Sequence, residues 1–328
     1  MDTFLQQIVN GLTLGSLYAI VALGYTMVYG IIQLINFAHG EVVMFGAMIT
    51  LTVISVATGS GLPPLAAILA GTLVAVPACM ALGYLLERIA YRPLRTAPRL
   101  APLITAIGMS IVLQQFAMMI WSRNILSFPQ VLPVTLYEVA GASISNLQII
   151  IIGLCLAMMA GLAWTVYRTR LGAAMRATAE NAEIARLMGV DVDRVIAITF
   201  IIGAALAAVA GLMVGIYYGL AHYTMGATLG LKAFSAAVLG GIGNIPGAMV
   251  GGILLGLVEA LGAGYIGDLT DLCQYEVLDS LFQARCADGG NLVLFGSNYQ
   301  DVFAFVVLIL VLVFRPSGLL GERVADRA

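Results

Sequence analysis

The chain has 328 residues, 61% of them hydrophobic and only 10% charged, with a formal net charge of −2. Soluble domains are roughly 45–50% apolar and about 25% charged, so this composition is that of a membrane protein. It excludes a nucleic-acid binder, a disordered tail and a secreted disulfide scaffold.

Crossing a bilayer takes roughly 20 predominantly apolar residues. Such stretches occur near 9–29, 40–58, 63–86, 101–121, 147–167, 195–219, 224–242, 246–264 and 299–314. The fold class this predicts is all-α, a polytopic membrane protein of about nine transmembrane segments with broken helices. The first stretch lacks a charged leader region and a small-residue cleavage site, so it is expected to be retained rather than removed. Between the first two lies a polar interruption, Tyr29 to Glu41, holding Gln33, Asn36, His39 and Glu41. Ionisable groups inside a membrane cost roughly 2.5–3.5 kcal/mol each on insertion scales, so each asks for a reason. His39 and Glu41 fit either an interfacial position or a polar pathway; Asn36, Gln33 and Asn244 carry donors and acceptors suited to lining one. Cys79 and Cys155 fall within spans and read as small packing residues.

Twelve of the fifteen basic residues fall in three segments. These are 87–101 (Arg88, Arg92, Arg95, Arg99), 168–194 (Arg168, Arg170, Arg176, Arg186, Arg194) and the tail (Arg315, Arg323, Arg327). The positive-inside rule places all three in the cytoplasm, which nine spans satisfy with the N-terminus outside and the C-terminus inside. Within the second segment, Ala173 to Leu187 has no Gly or Pro and is rich in Ala, Arg and Glu, predicting one helix. Gly189 then stops it, and Asp191 or Asp193 caps the helix that opens the span at Val195. This short helix fits either an amphipathic interface element or one that docks into a partner.

Further along, Gly240-Gly241-Ile242-Gly243-Asn244-Ile245-Pro246-Gly247 divides one long apolar stretch in two, because Pro246 removes a backbone donor. Irregular backbone at membrane depth needs protein or a water-filled cavity around it, which makes Gly240, Gly241, Gly243 and Asn244 pathway candidates beside Asn36, His39 and Glu41. Lys232 is expected to snorkel outwards; Glu259 fits the outer interface or a pairing within the bundle. Glycines four residues apart, such as Gly11/Gly15 and Gly252/Gly256, mark helix faces that pack closely. The 264–298 segment is expected outside, where disulfides persist. It holds Cys273 and Cys286 with twelve residues between them. A bridge there is predicted, worth roughly 3 kcal/mol by loop closure; the alternative is two free thiols.

The two halves share a layout of long helix, polar interruption, helix and final pair. Repeat one runs over about 9–121 and repeat two over about 195–314, with span 147–167 as connector and 168–194 as a cytoplasmic loop. An odd number of spans between the halves inverts the second relative to the first, an arrangement of many transporters. The chain itself has no phosphate-binding loop, since its single lysine, Lys232, follows Leu231. It has no His-Glu-x-x-His, no Cys-x-x-Cys and no Gly-x-Ser-x-Gly. No catalytic, cofactor-binding or metal-ligating residues are therefore expected.

Four blocks carry a resemblance. They are Gly24-Tyr25-Thr26-Met27-Val28-Tyr29-Gly30 with Ile35-Asn36-Phe37-Ala38-His39-Gly40-Glu41; Arg176 to Asn181 with Ala185 to Asp193; Lys232 to Ala248; and Arg315-Pro316-Ser317-Gly318-Leu319-Leu320-Gly321. In order and over nearly the whole chain, they resemble the H-type permease subunit of branched-chain amino-acid ABC importers (the Liv type). The resemblance implies a single permease domain in a bacterial inner membrane, forming half of a translocation pathway. Its partners would be a second homologous permease, two ATP-binding subunits and a periplasmic substrate-binding protein. ATP and Mg would be bound by those subunits, and no cofactor by this chain. ABC permeases dock on the ATPase through Glu-Ala-Ala-x-x-x-Gly; here Glu183-Ile184-Ala185 and Gly189 fit that spacing, giving Glu183, Ala185, Arg186 and Gly189 as coupling residues. The usual downstream Ile-x-Leu-Pro is absent, with Thr199, Phe200 and Ile201 in that region. The segment 267–298 also departs from the family pattern. Urea or a wider range of amino acids are alternative substrates for the same permease type. An ion-coupled secondary carrier is the alternative from another class, and it rests on the carboxylate of Glu259.

Overall fold

The computed structural model describes residues 2–321 except 96, 99, 131, 140 and 270–298. Cys273 and Cys286, the predicted bridge, lie outside the described residues, as do Arg323 and Arg327.

Each predicted apolar stretch is a helix. In chain order they are α1 (Asp2–Ile32), α2 (His39–Gly59), α3 (Pro64–Leu86), α4 (Leu100–Ile120) and α5 (Asn146–Arg168), then two short helices α6 (Arg170–Glu180) and α7 (Ala182–Leu187). The chain continues through α8 (Val192–Tyr218), α9 (Met225–Gly240), α10 (Ile245–Leu269) and α11 (Gln300–Phe314). Seven are long and apolar enough to cross a bilayer; α9 and α11 are apolar but shorter. Two small antiparallel sheets complete the described residues. Strand β1 (Leu126–Ser127) pairs with β4 (Leu220–Ala221), and β2 (Leu136–Val139) forms a hairpin with β3 (Ala142–Ser145). Gln6 holds the hairpin to the start of α1, donating to Ser143 O (3.1 Å) and accepting from Ser143 N (2.8 Å).

The helices sort by burial. α1, α2 and α8 are mostly enclosed, while α3, α4 and α5 show most of their apolar surface to the outside. Lipid tails are as apolar as leucine, so close backbone packing must hold the inner helices together. The contact between α1 and α10 shows it. Gly11 faces Leu257 and Gly15 faces Ile253 in an antiparallel pair, and a Cβ on Gly15 would come within 2.7 Å of the Ile253 Cα. The glycine spacing read from the sequence therefore lies in the most extensive helix contact. Cys79 and Cys155 are buried free thiols, as expected of packing residues.

Both polar interruptions are real breaks. Gln33 adopts a left-handed backbone (φ 52°) and ends α1. The chain then folds back along α1, so that the His39 ring packs on Gly24, eight residues before the end of α1. At 1.5 Å per residue this places the start of α2 roughly 12 Å inside the bundle. There Gly40 meets Gly226 and Gly230 in α9, so the N-terminal turns of α2 and α9 touch each other.

The segment 168–194 departs from expectation. The predicted single helix over 173–187 is two helices, because Asn181 takes an extended backbone (φ −158°, ψ 107°). Its side chain accepts from the backbone N of Glu183 and Ile184 (3.0 Å each) and so starts α7 anew. Asparagine competes with the helix by bonding locally, which the count of Gly and Pro did not reveal. Gly189 stops α7 as predicted, at φ 86°. Asp191 caps α8 through the backbone N of Arg194 (3.1 Å).

Candidate functional site: the helix breaks and the cavity beside them

The first break is held from the side. Tyr91, on a π-helical turn (Glu87–Tyr91) that extends α3, donates its hydroxyl to Asn36 Oδ1 (2.9 Å). The backbone oxygen of Asn36 in turn accepts from the N of His39 and starts α2 (3.0 Å). Glu41, fully buried, accepts from Ser110 Oγ (2.9 Å) and Gln114 Nε2 (2.8 Å) on α4. Its other oxygen lies against Gly226 at the start of α9. Of the two placements open to His39 and Glu41, the structure gives neither an exposed interface nor a cavity wall. Both are enclosed between helices, and Glu41 fastens the outlying α4 to the bundle.

The second break is a docked plug. α9 ends at Gly240, and Gly241 (φ 107°) and Gly243 (φ 96°) turn the chain into α10, with Pro246 in the first turn where its missing N–H costs nothing. Helix ends leave backbone carbonyls without partners. Here the tail segment supplies them: Leu319 N donates to Leu239 O and Leu320 N to Gly240 O, each at 2.9 Å. Asn244 completes the joint, donating Nδ2 to Leu320 O (2.8 Å) and accepting from Gly247 N (3.2 Å). Gly240 faces Gly247, and Gly241 faces Gly321, so closely that neither leaves room for a side chain.

An open cavity of about 1300 Å³ lies against this joint. Tyr29, Gln33, Arg176, Gly243, Asn244 and Arg315 line its polar side. The structure thus brings Gly243 and Asn244 to one cavity with Gln33, whereas Asn36, His39, Glu41, Gly240 and Gly241 are not among the residues that line it. A smaller space of about 90 Å³ shares Gly30, Val166, Arg176, Gly243 and Ile245 with it and reaches Thr26.

At the same end of the molecule, α7 shows an apolar face. Ala185 is buried, while Ile184, Leu187 and Met188 are 57%, 85% and 80% exposed. Three such side chains side by side make an apolar patch of the kind that lipid or another protein covers. Glu183 and Gly189 frame this face in sequence. Arg186 points back, its Nη2 3.6 Å from Asp193 Oδ1.

Family comparison decides what kind of machine this is. The family model described as branched-chain amino acid transport system / permease component matches residues 7–312. The chain belongs to this permease family. It is 46% identical over 324 residues to the high-affinity branched-chain amino acid transport system permease protein BraD of Pseudomonas aeruginosa, across 97% of this chain and 96% of that one. Identity to the corresponding protein LivH of Escherichia coli K12 is 42% with the same coverage. The probable branched-chain amino acid transport permease protein LivH of Methanocaldococcus jannaschii is 26% identical across 93% of this chain and 89% of that one. No solved structure matches the chain significantly.

Several polar groups of this permease escaped sequence reasoning. Ser110 and Gln114 stand four residues apart in an apolar helix, a spacing that puts them on one face and is a usable signal. Lys232 does not snorkel: its Nζ sits 2.7 Å from Glu259 Oε1 and 2.6 Å from Asp301 Oδ1. The carboxylate on which a secondary carrier would depend is therefore occupied by an internal cation. Arg92 and Arg95 bind Asp193 at 2.6 and 2.7 Å, and Arg95 also binds Glu87. No local pattern announces that cluster, since Asp193 lies 101 and 98 residues from Arg92 and Arg95.

Proposed function

We propose that this permease is one of two membrane subunits of an ATP-driven importer for branched-chain or closely related amino acids. It would cross a bacterial inner membrane nine times, N-terminus outside, with α1–α2 and α8–α9 as corresponding parts of an inverted repeat. The second permease completes the pathway, a periplasmic protein delivers the amino acid, and two ATP-binding subunits hold ATP and Mg. The permease catalyses no bond change itself.

The observation that carries this reading is the exposed face of α7. The chain holds no phosphate-binding loop, and the carboxylate an ion-coupled carrier would use is paired with Lys232, which favours energy supplied by another subunit. The apolar side chains of Ile184, Leu187 and Met188 stand where such a subunit has something to grip. The cavity bounded by Gln33, Arg176, Gly243 and Asn244 opens at the same end. ATP-driven closure of the subunits below would move α7 and, through it, the helix breaks that border the cavity. The names of full-length relatives supply the substrate class.

Replacing Leu187 and Met188 by glutamate tests the docking surface. The expected result is that the ATP-binding subunits no longer copurify and that amino-acid uptake stops, while the permease still folds. Retention of those subunits by the double variant would refute the docking assignment. Uphill uptake by the purified chain alone, in vesicles without an ATPase, would refute the importer.

A further inference from the structure

Polar contacts joined by one backbone turn run from α7 to the break between α1 and α2. It begins at Arg186 on α7, 3.6 Å from Asp193 in the first turn of α8. Asp193 binds Arg92 and Arg95 through its two oxygens at 2.6 and 2.7 Å, and Arg95 turns back to Glu87. Glu87 opens the π-helical turn that ends at Tyr91, and Tyr91 holds Asn36. The carbonyl of Asn36 receives the first N–H of α2.

A second feature follows the same route independently. Ala185 of α7, Val192, Ile196 and Phe200 of α8, Ala90 and Tyr91 of the π turn, and Val28 of α1 form a buried apolar cluster separate from the main core. The Tyr91 ring packs on Phe200 with centroids 5.1 Å apart. Helix α7 and the π turn are therefore parts of one packed body. π turns are rare and recur at functional sites, where the wider turn tolerates a change of register.

We infer that Asp193, Arg95 and Tyr91 are positioning residues for transport, transmitting the displacement of α7 to Asn36 and so to the N-terminus of α2. This rests on the reading of α7 as the ATPase dock. When the dock moves, Arg186 and the α8 terminus move with it. The paired arginines carry the π turn along, and the Tyr91 hydroxyl shifts the residue on which α2 begins. None of the relay residues lines the cavity described above.

Continuity suits a static brace equally well, so the test is energetic coupling. Complexes carrying Asp193→Asn, Tyr91→Phe or both are purified with their ATP-binding subunits and reconstituted. Uptake and substrate-stimulated ATP hydrolysis are then measured together. Each single variant should keep its ATP-binding subunits and its basal hydrolysis while uptake falls about tenfold. The double variant should be no worse than the more severe single one, as expected of groups acting in series. Asp193→Glu should restore most of the uptake. Losses that multiply in the double variant, undiminished uptake by Tyr91→Phe, or loss of the ATP-binding subunits from Asp193→Asn would each overturn the relay. Leu187→Glu separates the two readings: if it leaves the subunits attached, the dock itself is misplaced, and the relay falls with it.

Discussion

Lys232 of α9 and Glu259 of α10 form an ion pair inside the bundle, Nζ to Oε1 at 2.7 Å, with 13% and 1% of their side chains exposed. Asp301 at the start of α11 gives the lysine a second anion at 2.6 Å, and the Tyr18 hydroxyl accepts from it at 3.4 Å. Three helices and α1 thus converge on one cation. Asp301 is half exposed and retains water if the lysine is lost, whereas Glu259 does not. Breaking a buried pair from one side costs about 3–5 kcal/mol, because the other charge stays behind. Lys232→Met is therefore expected to lower the thermal midpoint of the detergent-solubilised protein strongly. Glu259→Gln should cost less, since Lys232 keeps Asp301. The double change Lys232→Met with Glu259→Met should recover most of the loss. Equal midpoints for the two single variants would contradict this asymmetry.

The fit of His39 on Gly24 gives a packing prediction. A Cβ on Gly24 would overlap the imidazole ring, which is also held edge-on by Tyr25 with centroids 4.9 Å apart. Inserting a methyl into a closed site of this kind costs about 1–3 kcal/mol. Gly24→Ala should destabilise the protein by that amount. In the background of His39→Ala, which empties the space, the same change should be close to neutral. Unfolding monitored by tryptophan fluorescence measures the four corners of the cycle; additive losses would show that the ring can move aside.

Asn244 is expected to govern how firmly the tail segment is docked. Asn244→Ala removes the bond to Leu320 O and the acceptor for Gly247 N. The site is half buried and water can replace part of what is lost, so the cost should be about 1 kcal/mol. Hydrogen exchange at the amides of Leu319 and Leu320, which bond Leu239 O and Gly240 O, should then speed up about fivefold relative to the parent. Unchanged exchange there would mean that the backbone bonds alone hold the joint.

The helices and both breaks were legible because their signals are local. An apolar run of spanning length, a Gly-Gly before Asn and Pro, or Gly189 after a helical stretch each act within one turn of the chain. Even the α1–α10 contact left a trace in the four-residue spacing of Gly11, Gly15, Gly252 and Gly256. Ion pairs between distant segments left none. Asp193 reads from the sequence as a candidate cap for α8, and only the fold brings Arg92 and Arg95 to it. Lys232 failed for the same reason: a lysine in an apolar helix snorkels unless a carboxylate waits on a neighbouring helix, and Glu259 is 27 residues away. Asn36, His39 and Glu41 stand out as pathway candidates by polarity and the Gly240–Asn244 group by its broken backbone, and neither signal distinguishes a group facing a cavity from one locked to a neighbour. Asn244 is both, lining the cavity while bonding Leu320 O, and Glu41 is only the second.

Asn181 offers the sharpest test of how the dock is aimed. Its extended backbone ends α6 and its side-chain oxygen starts α7, so the direction of Ile184, Leu187 and Met188 depends on one cap. Alanine both removes that cap, at about 1 kcal/mol, and has the strongest helix preference. Asn181→Ala is thus expected to let α6 run on into α7, which rotates the apolar face away from its present setting. If α7 is the dock proposed above, uptake should fall about tenfold or more, since a misaimed coupling element loses function even in a folded protein. Asn181→Asp and Asn181→Ser keep a capping oxygen and should retain most of the activity. Uptake in vesicles, alongside copurification of the ATP-binding subunits, checks both halves of the expectation. Full uptake by Asn181→Ala would show that α7 finds its place from the burial of Ala185 alone.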